Sequence, residues 1–469
     1  MKDLNPLVVP IRSSKARPRV VILGGGFAGI AAARALKGCD AEVLVIDRRN
    51  HHIFQPLLYQ VATAVLAPSE VAAPLRQLAQ QQPNLSVLMA EVTEIDLVSA
   101  TVRAVPVGLP SRPVAFDYLI VAAGVRPTYF GHDEFAAYAP SLKTLTDAEL
   151  IRGRILGAYE LAEQTGDPAA RARALTVVLV GAGPTGVELA ASIAQMARIT
   201  LRSNFRRIDP AHTRIVLLDG APRILPSFAE ILSRKAEQHL RTLGVEVRTG
   251  VVVERVDEQG VLVGGERIES NTVLWTAGVQ ASPLISSLGV KTDRAGRACV
   301  GQFLELAEHP NVFVIGDAAT VLQDGRALPG VAQVAIQQGR FVGLLLGARI
   351  AGRAIARPFR YRDRGNMAVV GKNFAVLERG GLRLSGLFTW ILWALIHIMF
   401  LPQLQNRLRV QTQWLWSYAT GQRSSRLIPE PTPARNSAAP ISITRAPVAA
   451  TNIDTRGVFR PSSRLEEKT

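Results

Sequence analysis

The sequence predicts an α/β chain built from two parallel-sheet units of one local design, followed by a short apolar helical module. Three observations carry that expectation. Residues 19–47 read RVVILGGGFAGIAAARALKGCDAEVLVID: an apolar, β-branched run, glycines at 24, 26 and 29, an alanine-rich stretch of helical composition, and a second apolar run ending at Asp47. Residues 177–219 repeat the arrangement, with Gly181, Gly183 and Gly186 following the run 177–180 and Asp219 closing the run 214–218. Residues 384–401, LSGLFTWILWALIHIMFL, carry no Asp, Glu, Lys or Arg.

The glycine spacing has a mechanical reason. The first glycine permits a tight turn, the second lets backbone N–H groups approach a pyrophosphate, and the third allows helix to pack closely on strand, while the helix N-terminus favours negative charge. The acid at the end of the second strand accepts from a ribose. Each unit therefore reads as a Rossmann-like dinucleotide-binding domain, with Gly24, Gly26, Gly29 and Asp47 in the first and Gly181, Gly183, Gly186 and Asp219 in the second. Two such sites ask for two dinucleotides, and the ordinary pairing is a flavin held permanently and a nicotinamide that visits. A carboxylate at 219 repels a 2′-phosphate, which favours NADH over NADPH, although Arg223 stands close by in sequence.

At 469 residues the chain is long enough for two or three domains. A net charge of +16 suits a negatively charged partner, and the basic residues are scattered without a nucleic-acid motif, so an anionic membrane is weighed ahead of nucleic acid. The two cysteines, Cys39 and Cys299, form no C-x-x-C pair, which excludes a redox disulfide beside a flavin and fits a reducing compartment. Residues 1–18 form a basic arm with no apolar core of signal-peptide length.

Between the units, residues 51–63 (HHIFQPLLYQVAT) mix apolar and polar residues without a period, as a segment wrapped around a ligand does. The adjacent His51 and His52 point apart, and no metal is expected. The runs YLIVAAG (118–124) and TVLWTAG (272–278) match one another and mark the crossings between the first domain and an inserted second one. Glu188, early in the second unit's helix, is either a favourable acid near a helix N-terminus or a carboxylate facing the nicotinamide and flavin edge. Gly316 and Asp317 end a strand, VFVIGDAA, where the aspartate suits a ribityl chain. The run PGVAQVAIQQG (329–339) opens a helix whose positive end suits a reduced flavin.

As a helix, residues 384–401 would run about 27 Å, just short of the hydrocarbon thickness, so a spanning helix and a surface-embedded one are both open. Pro402 follows, then a basic, aromatic stretch with Arg407, Arg409, Trp414, Trp416 and Tyr418; four of the five tryptophans lie between 390 and 416, which reads as monotopic anchoring at a membrane interface. The competing reading buries this helix in a dimer interface. Residues 421–469, rich in proline, serine and arginine, are expected to be disordered.

Taken together, GGGFAG, HHIFQPLLYQVAT, VVLVGAGPTGVELA, TVLWTAGV, VFVIGDAA and AQVAIQQG resemble the type II NADH:quinone oxidoreductases, over residues 19–418. The resemblance implies tightly held FAD, NADH as substrate, a quinone as acceptor, a C-terminal membrane module and a homodimer, on the cytoplasmic face of the cell membrane. The chemistry is hydride transfer from NADH to flavin N5 and then two electrons to quinone, without proton pumping. Motif by motif, it implies that Thr63 and Asp317 lie near the flavin half of FAD, that Glu188 couples the nicotinamide and quinone sides, and that Gln337, Gln338 and Lys372 lie by the quinone headgroup. The expected organisation is 19–140 and 276–350 for the FAD domain, 141–275 for the NADH domain, 351–383 for strands near the acceptor site, and 384–420 for the anchor. An NADH-dependent reductase of a soluble acceptor (ferredoxin or oxygen) and a slow flavin-bearing membrane adaptor stand as alternatives.

Overall fold

The computed structural model describes residues 17–354 and 357–428; the basic arm up to residue 16 and the tail from 429 lie outside the described residues. Chain order begins with β1 (Arg19–Leu23), α1 (Phe27–Ala35), β2 (Glu42–Asp47), α2 (Leu58–Ala62), β3 (Leu85–Asp96), β4 (Thr101–Pro106), β5 (Arg112–Ala115) and β6 (Tyr118–Val121). After α3 (Leu145–Gln164) come β7 (Thr176–Val180), α4 (Pro184–Gln195), β8 (Arg214–Asp219), β9 (Val245–Thr249) and β10 (Thr272–Trp275). The chain then returns through β11 (Glu305–Leu306), β12 (His309–Val314) and α5 (Ala332–Ile350), and ends in a hairpin sheet followed by α6 (Leu387–Phe400) and α7 (Leu404–Thr420).

The strands form two main sheets. One has the order β11-β12-β6-β1-β2-β3-β4-β5, parallel from β12 to β3; the other is the parallel set β9-β8-β7-β10. Val20, Val21 and Ile22 are wholly inaccessible, as are Val178 and Leu179 at the matching places, because a sheet covered on both faces leaves no side of a strand to water. The two units repeat each other in register. Leu23 pairs with Ile46 and Val121, and Val180 pairs with Leu218 and Trp275. The matching runs that end at Gly124 and Gly278 thus hold the same place in each sheet. Directly after them, Val125–Pro127 and Val279–Ala281 pair antiparallel, so the two crossings between the sheets run side by side.

Small residues let α1 lie against α5. A side-chain carbon added at Gly339 or Gly343 would meet the carbonyls of Ala28 and Ala32. Alanine and glycine here serve backbone approach, with little apolar area of their own to bury.

The C-terminal module departs from expectation. Residues 384–386 belong to the strand Leu382–Gly386, and Gly386 at φ +101° turns the chain into a helix of 14 residues, about 21 Å long. Among the described residues no helix is long and apolar enough to cross a membrane, which removes the spanning alternative. The tail is also corrected in part: residues 421–428 are described, and they pack back on the core, with Thr200 donating to the Gly421 carbonyl (3.0 Å) and the Ser425 N–H to the Ala64 carbonyl (3.3 Å).

Substituting Gly343 with leucine should force the two helices apart and lower stability by about 1–3 kcal/mol. A thermal melt of the purified variant checks this, and an unchanged melting temperature would contradict the close approach.

Candidate functional site

Each glycine turn is closed by the acid of the neighbouring strand. Asp47 accepts from the Gly25 N–H (2.6 Å) and the Arg49 N–H (2.7 Å); Asp219 accepts from the Ala182 N–H and from the Ala221 N–H (2.7 Å). Gly24 and Gly181 adopt φ of +106° and +107°, and side chains there would strike the small-residue runs at Ala122 and Ala277. The small residues that end those runs thus pack directly against the glycine turns. Side chains at Gly29 and Gly186 would strike the carbonyls of Gly24 and Gly181. The middle glycines differ. A carbon added at Gly26 or Gly183 meets no atom within 4 Å, and both residues head a helix without a side-chain cap. Open space at an uncapped helix N-terminus is what a pyrophosphate requires, so both turns fit a dinucleotide.

A second feature fits the rest of FAD. Asp317 follows Gly316, whose N–H is taken by the Gln338 carbonyl oxygen (2.6 Å), and the Asp317 carboxylate makes no hydrogen bond among the described residues. Burial raises its pKa, while the nearby Lys143 ammonium opposes the shift. Lys143 in turn is lowered by burial, with Asp317 opposing. A half-buried acid and base in electrostatic reach of one another, with no ion pair between them among the described residues, suit polar groups of a bound ligand. Nothing in the sequence marked Lys143, which precedes the capped start of α3 at Thr144.

Near the second turn, Arg223 donates to the Phe228 carbonyl (2.6 Å), the Ser233 hydroxyl (2.7 Å) and the Pro226 carbonyl (3.0 Å). Its guanidinium holds the following loop through these three bonds.

Below these turns lies a cavity of about 150 Å³ that opens to solvent. Its wall combines α2, α4, the strand segment 369–372 and the two C-terminal helices. Glu188 lines it. The carboxyl keeps part of its surface open, and its only hydrogen-bond donor among the described residues is the Val369 N–H at a long 3.5 Å, so burial pushes it up to about 8. A helix N-terminus would push the opposite way, so the bland reading of Glu188 does not describe it. Beside it, Tyr59 accepts from the Gln60 amide (2.9 Å), and Gln60 accepts from the Trp414 indole (2.7 Å). The indole N–H of Trp393, on a residue 2% exposed, has no partner among the described residues. Lys372 donates to the Tyr418 carbonyl (2.9 Å) and lies 3.9 Å from the centre of that ring.

The structure brings Glu188 and Lys372 together in this cavity and leaves Gln337 and Gln338 out of it. Gln337 brackets the backbone of Arg362 through two hydrogen bonds (2.9 and 3.0 Å), and Gln338, 1% exposed, is consumed at Gly316. Both glutamines thus hold backbone groups of the chain through side-chain atoms. One turn earlier, Gln333 keeps a buried side-chain oxygen without a partner among the described residues. Thr63 joins two helices. Fully buried, it donates to the Tyr59 carbonyl (2.9 Å) and meets the Ser192 hydroxyl (2.7 Å), tying α2 to α4.

Comparison with known proteins identifies the family. Residues 18–339 match the pyridine nucleotide-disulphide oxidoreductase model. The chain is 42% identical over 431 residues to the type II NADH:quinone oxidoreductase Ndh of Mycobacterium tuberculosis, covering 90% of this chain and 92% of that one. It is 43% identical to NdhA of the same organism, covering 85% and 86%. The chain belongs to the type II NADH:quinone oxidoreductases. The structure of NDH2 from Plasmodium falciparum in complex with NADH has the same fold, with a TM-score of 0.79 at 18% identity, over 87% of this chain and 99% of that one. The disulphide in the broader family's name has no counterpart here, since Cys39 and Cys299 are both free.

Replacing Gly26 with alanine should change the melting temperature of the flavin-free protein little while weakening FAD retention, because the added carbon enters open space at the helix N-terminus. Replacing Gly29 with valine should lower both. Flavin absorbance after purification, together with a melt, separates the two outcomes.

Proposed function

We propose that the chain is a membrane-associated, non-proton-pumping NADH:quinone oxidoreductase in which the cavity between Glu188 and the C-terminal helices receives the quinone. The first glycine turn, Asp47, Asp317 and Lys143 would hold FAD, and the second turn with Asp219 would hold NADH. When bound, FAD supplies a two-electron acceptor for the nicotinamide hydride and a donor to the quinone. The chain's own groups supply position and protons. The cavity carries this reading, because it joins α4, the helix that begins at the nicotinamide turn, to the helices that carry the apolar surface.

Reduction of a quinone to a quinol takes up two protons. Glu188 holds its proton at neutral pH, since its pKa of about 8 lies above ambient, and it is therefore a donor before it is a base. Tyr59 stands beside it with its phenol pushed further up by burial and by Glu188. The same elevation places Glu188 where a change in the cavity's charge shifts its protonation, which is how one carboxyl senses both substrates.

The membrane reading rests on a two-faced helix. Along α6, Phe388, Ile391, Leu395 and Met399 are 70, 45, 57 and 68% exposed and recur at helical spacing, while Thr389 and Trp393 face inward. On α7, Leu404, Leu408, Leu415 and Trp416 are exposed as well. Apolar surface on two adjacent helices, short of spanning length, suits a surface-embedded anchor.

The test is a purified yellow protein mixed with NADH in a stopped flow. Rapid bleaching by NADH, slower bleaching by NADPH and recovery of colour on adding quinone are expected; failure of NADH to bleach would overturn the reading. In steady state, quinone reduction should fall as pH rises through about 8, where Glu188 loses its proton. Glu188→Gln should reduce turnover about 100-fold or more and remove that inflection, with flavin retained. For the anchor, Phe388→Glu with Met399→Glu should weaken sedimentation with anionic vesicles while turnover of a water-soluble short-chain quinone persists.

A further inference from the structure

Arg423 lies in the stretch expected to be disordered, and it is among the most deeply buried charges in the chain, at 6% exposed. Gly421, at φ +71°, ends α7 and turns the chain inward. The Arg423 guanidinium then donates to the Thr63 carbonyl (2.7 Å) and the Ser192 carbonyl (2.9 Å), across the α2–α4 junction, and the residue lines the same cavity as Glu188. No carboxylate pairs with it among the described residues. The charged or titratable groups that act on it are the phenols of Tyr59 and Tyr159, and the latter's hydroxyl is bonded to Thr213 (3.0 Å).

A buried cation without a counter-charge is costly unless something offsets it. Two neutral carbonyls use two of the five N–H groups that a guanidinium offers. Burial lowers its pKa only to about 10, so the charge persists at neutral pH. Glu188 does not supply the missing negative charge, because it is protonated there, and Lys372 adds a further positive group to the wall.

We propose that Arg423 makes the cavity selective for an oxyanion, and that the oxyanion it serves is the quinone oxygen that becomes negative as electrons arrive. This rests on the reading of the cavity as the quinone site. The balance is NADH, one proton and quinone giving NAD⁺ and quinol. Arg423 gives up no proton in it; the guanidinium stabilises the oxygen in the interval between electron arrival and protonation. Its class of preferred ligand is a planar ring system with an ionised oxygen in conjugation with a carbonyl.

The test measures binding by calorimetry to oxidised, FAD-loaded full-length protein at neutral pH, using ionised 2-hydroxy-1,4-naphthoquinone and its uncharged 2-methoxy analogue. Charge-assisted hydrogen bonds contribute enough that the ionised compound should bind at least about tenfold more tightly. Arg423→Gln, which removes the charge and keeps a polar amide, should remove that preference with flavin content retained, and Arg423→Lys should retain most of it. A wild-type protein with no preference overturns the proposal whether or not the variants fold. So does a preference that survives in Arg423→Gln while Ser417→Trp, which fills the cavity, abolishes binding of both compounds. If Ser417→Trp leaves both affinities unchanged, the cavity reading itself falls, and the proposal with it.

Discussion

The fold depends on backbone approaching backbone at two glycine turns. At Gly29 and Gly186 no side chain has room against the carbonyl of the turn's first glycine, and the acid at the end of the adjoining strand binds the turn's own N–H groups. The consequence is positional. Once β7 and the turn are in place, α4 must start at Pro184 with its N-terminus open, and Glu188 is carried to the cavity wall within little more than one helical turn. Ser192, a turn further on, then meets Thr63 and fixes the first unit's α2 against the second unit's α4. Two local geometries, repeated, thus generate a long-range contact that neither contains.

Those turns were legible in the sequence because their determinants are close together in the chain and each has a steric reason. The cavity was not. It is assembled from residues 59–65, 188–200, 369–372 and 390–423, which only the tertiary fold brings together. Arg423 sits in a stretch whose composition, taken as a whole, argues against a core, yet three residues beyond α7 are enough to deliver one guanidinium to the interior. Gln337 and Gln338 satisfy backbone groups at Arg362 and Gly316, contacts that no local pattern announces. The helix boundary slipped for a local reason: an apolar run does not reveal that Gly386 takes a positive φ and gives its first three residues to a strand.

Charge in the cavity is arranged by burial more than by pairing. An acid kept protonated and a base kept charged in one wall would cancel if they formed an ion pair, and the pair would then lock both groups. Here Tyr59 lies within electrostatic reach of both. Burial raises the phenol's pKa, Glu188 raises it further and Arg423 lowers it. A wall that is positive on average, with its acid neutral, favours negative charge on its occupant, and a neutral quinone acquires that charge only as electrons arrive. That is the condition for stabilising a transition state more than a ground state.

The tryptophans show how one helical pair can serve a surface and a cavity together. Read by composition they form an interfacial belt, yet Trp393 is buried and stacks on Trp414 at 5.4 Å, while Trp416 is exposed. Asn406 donates to the Ala72 carbonyl (3.0 Å) and holds α7 down on the first unit, so the inward rings line a wall of fixed position. On the membrane reading proposed above, the outward rings and aliphatic side chains would face lipid. Because both faces belong to the same short helices, a ring system passing from lipid to Glu188 would then cross only the thickness of one helix, about 10 Å. An acceptor with an apolar tail and a polar headgroup would fit such a passage at both ends.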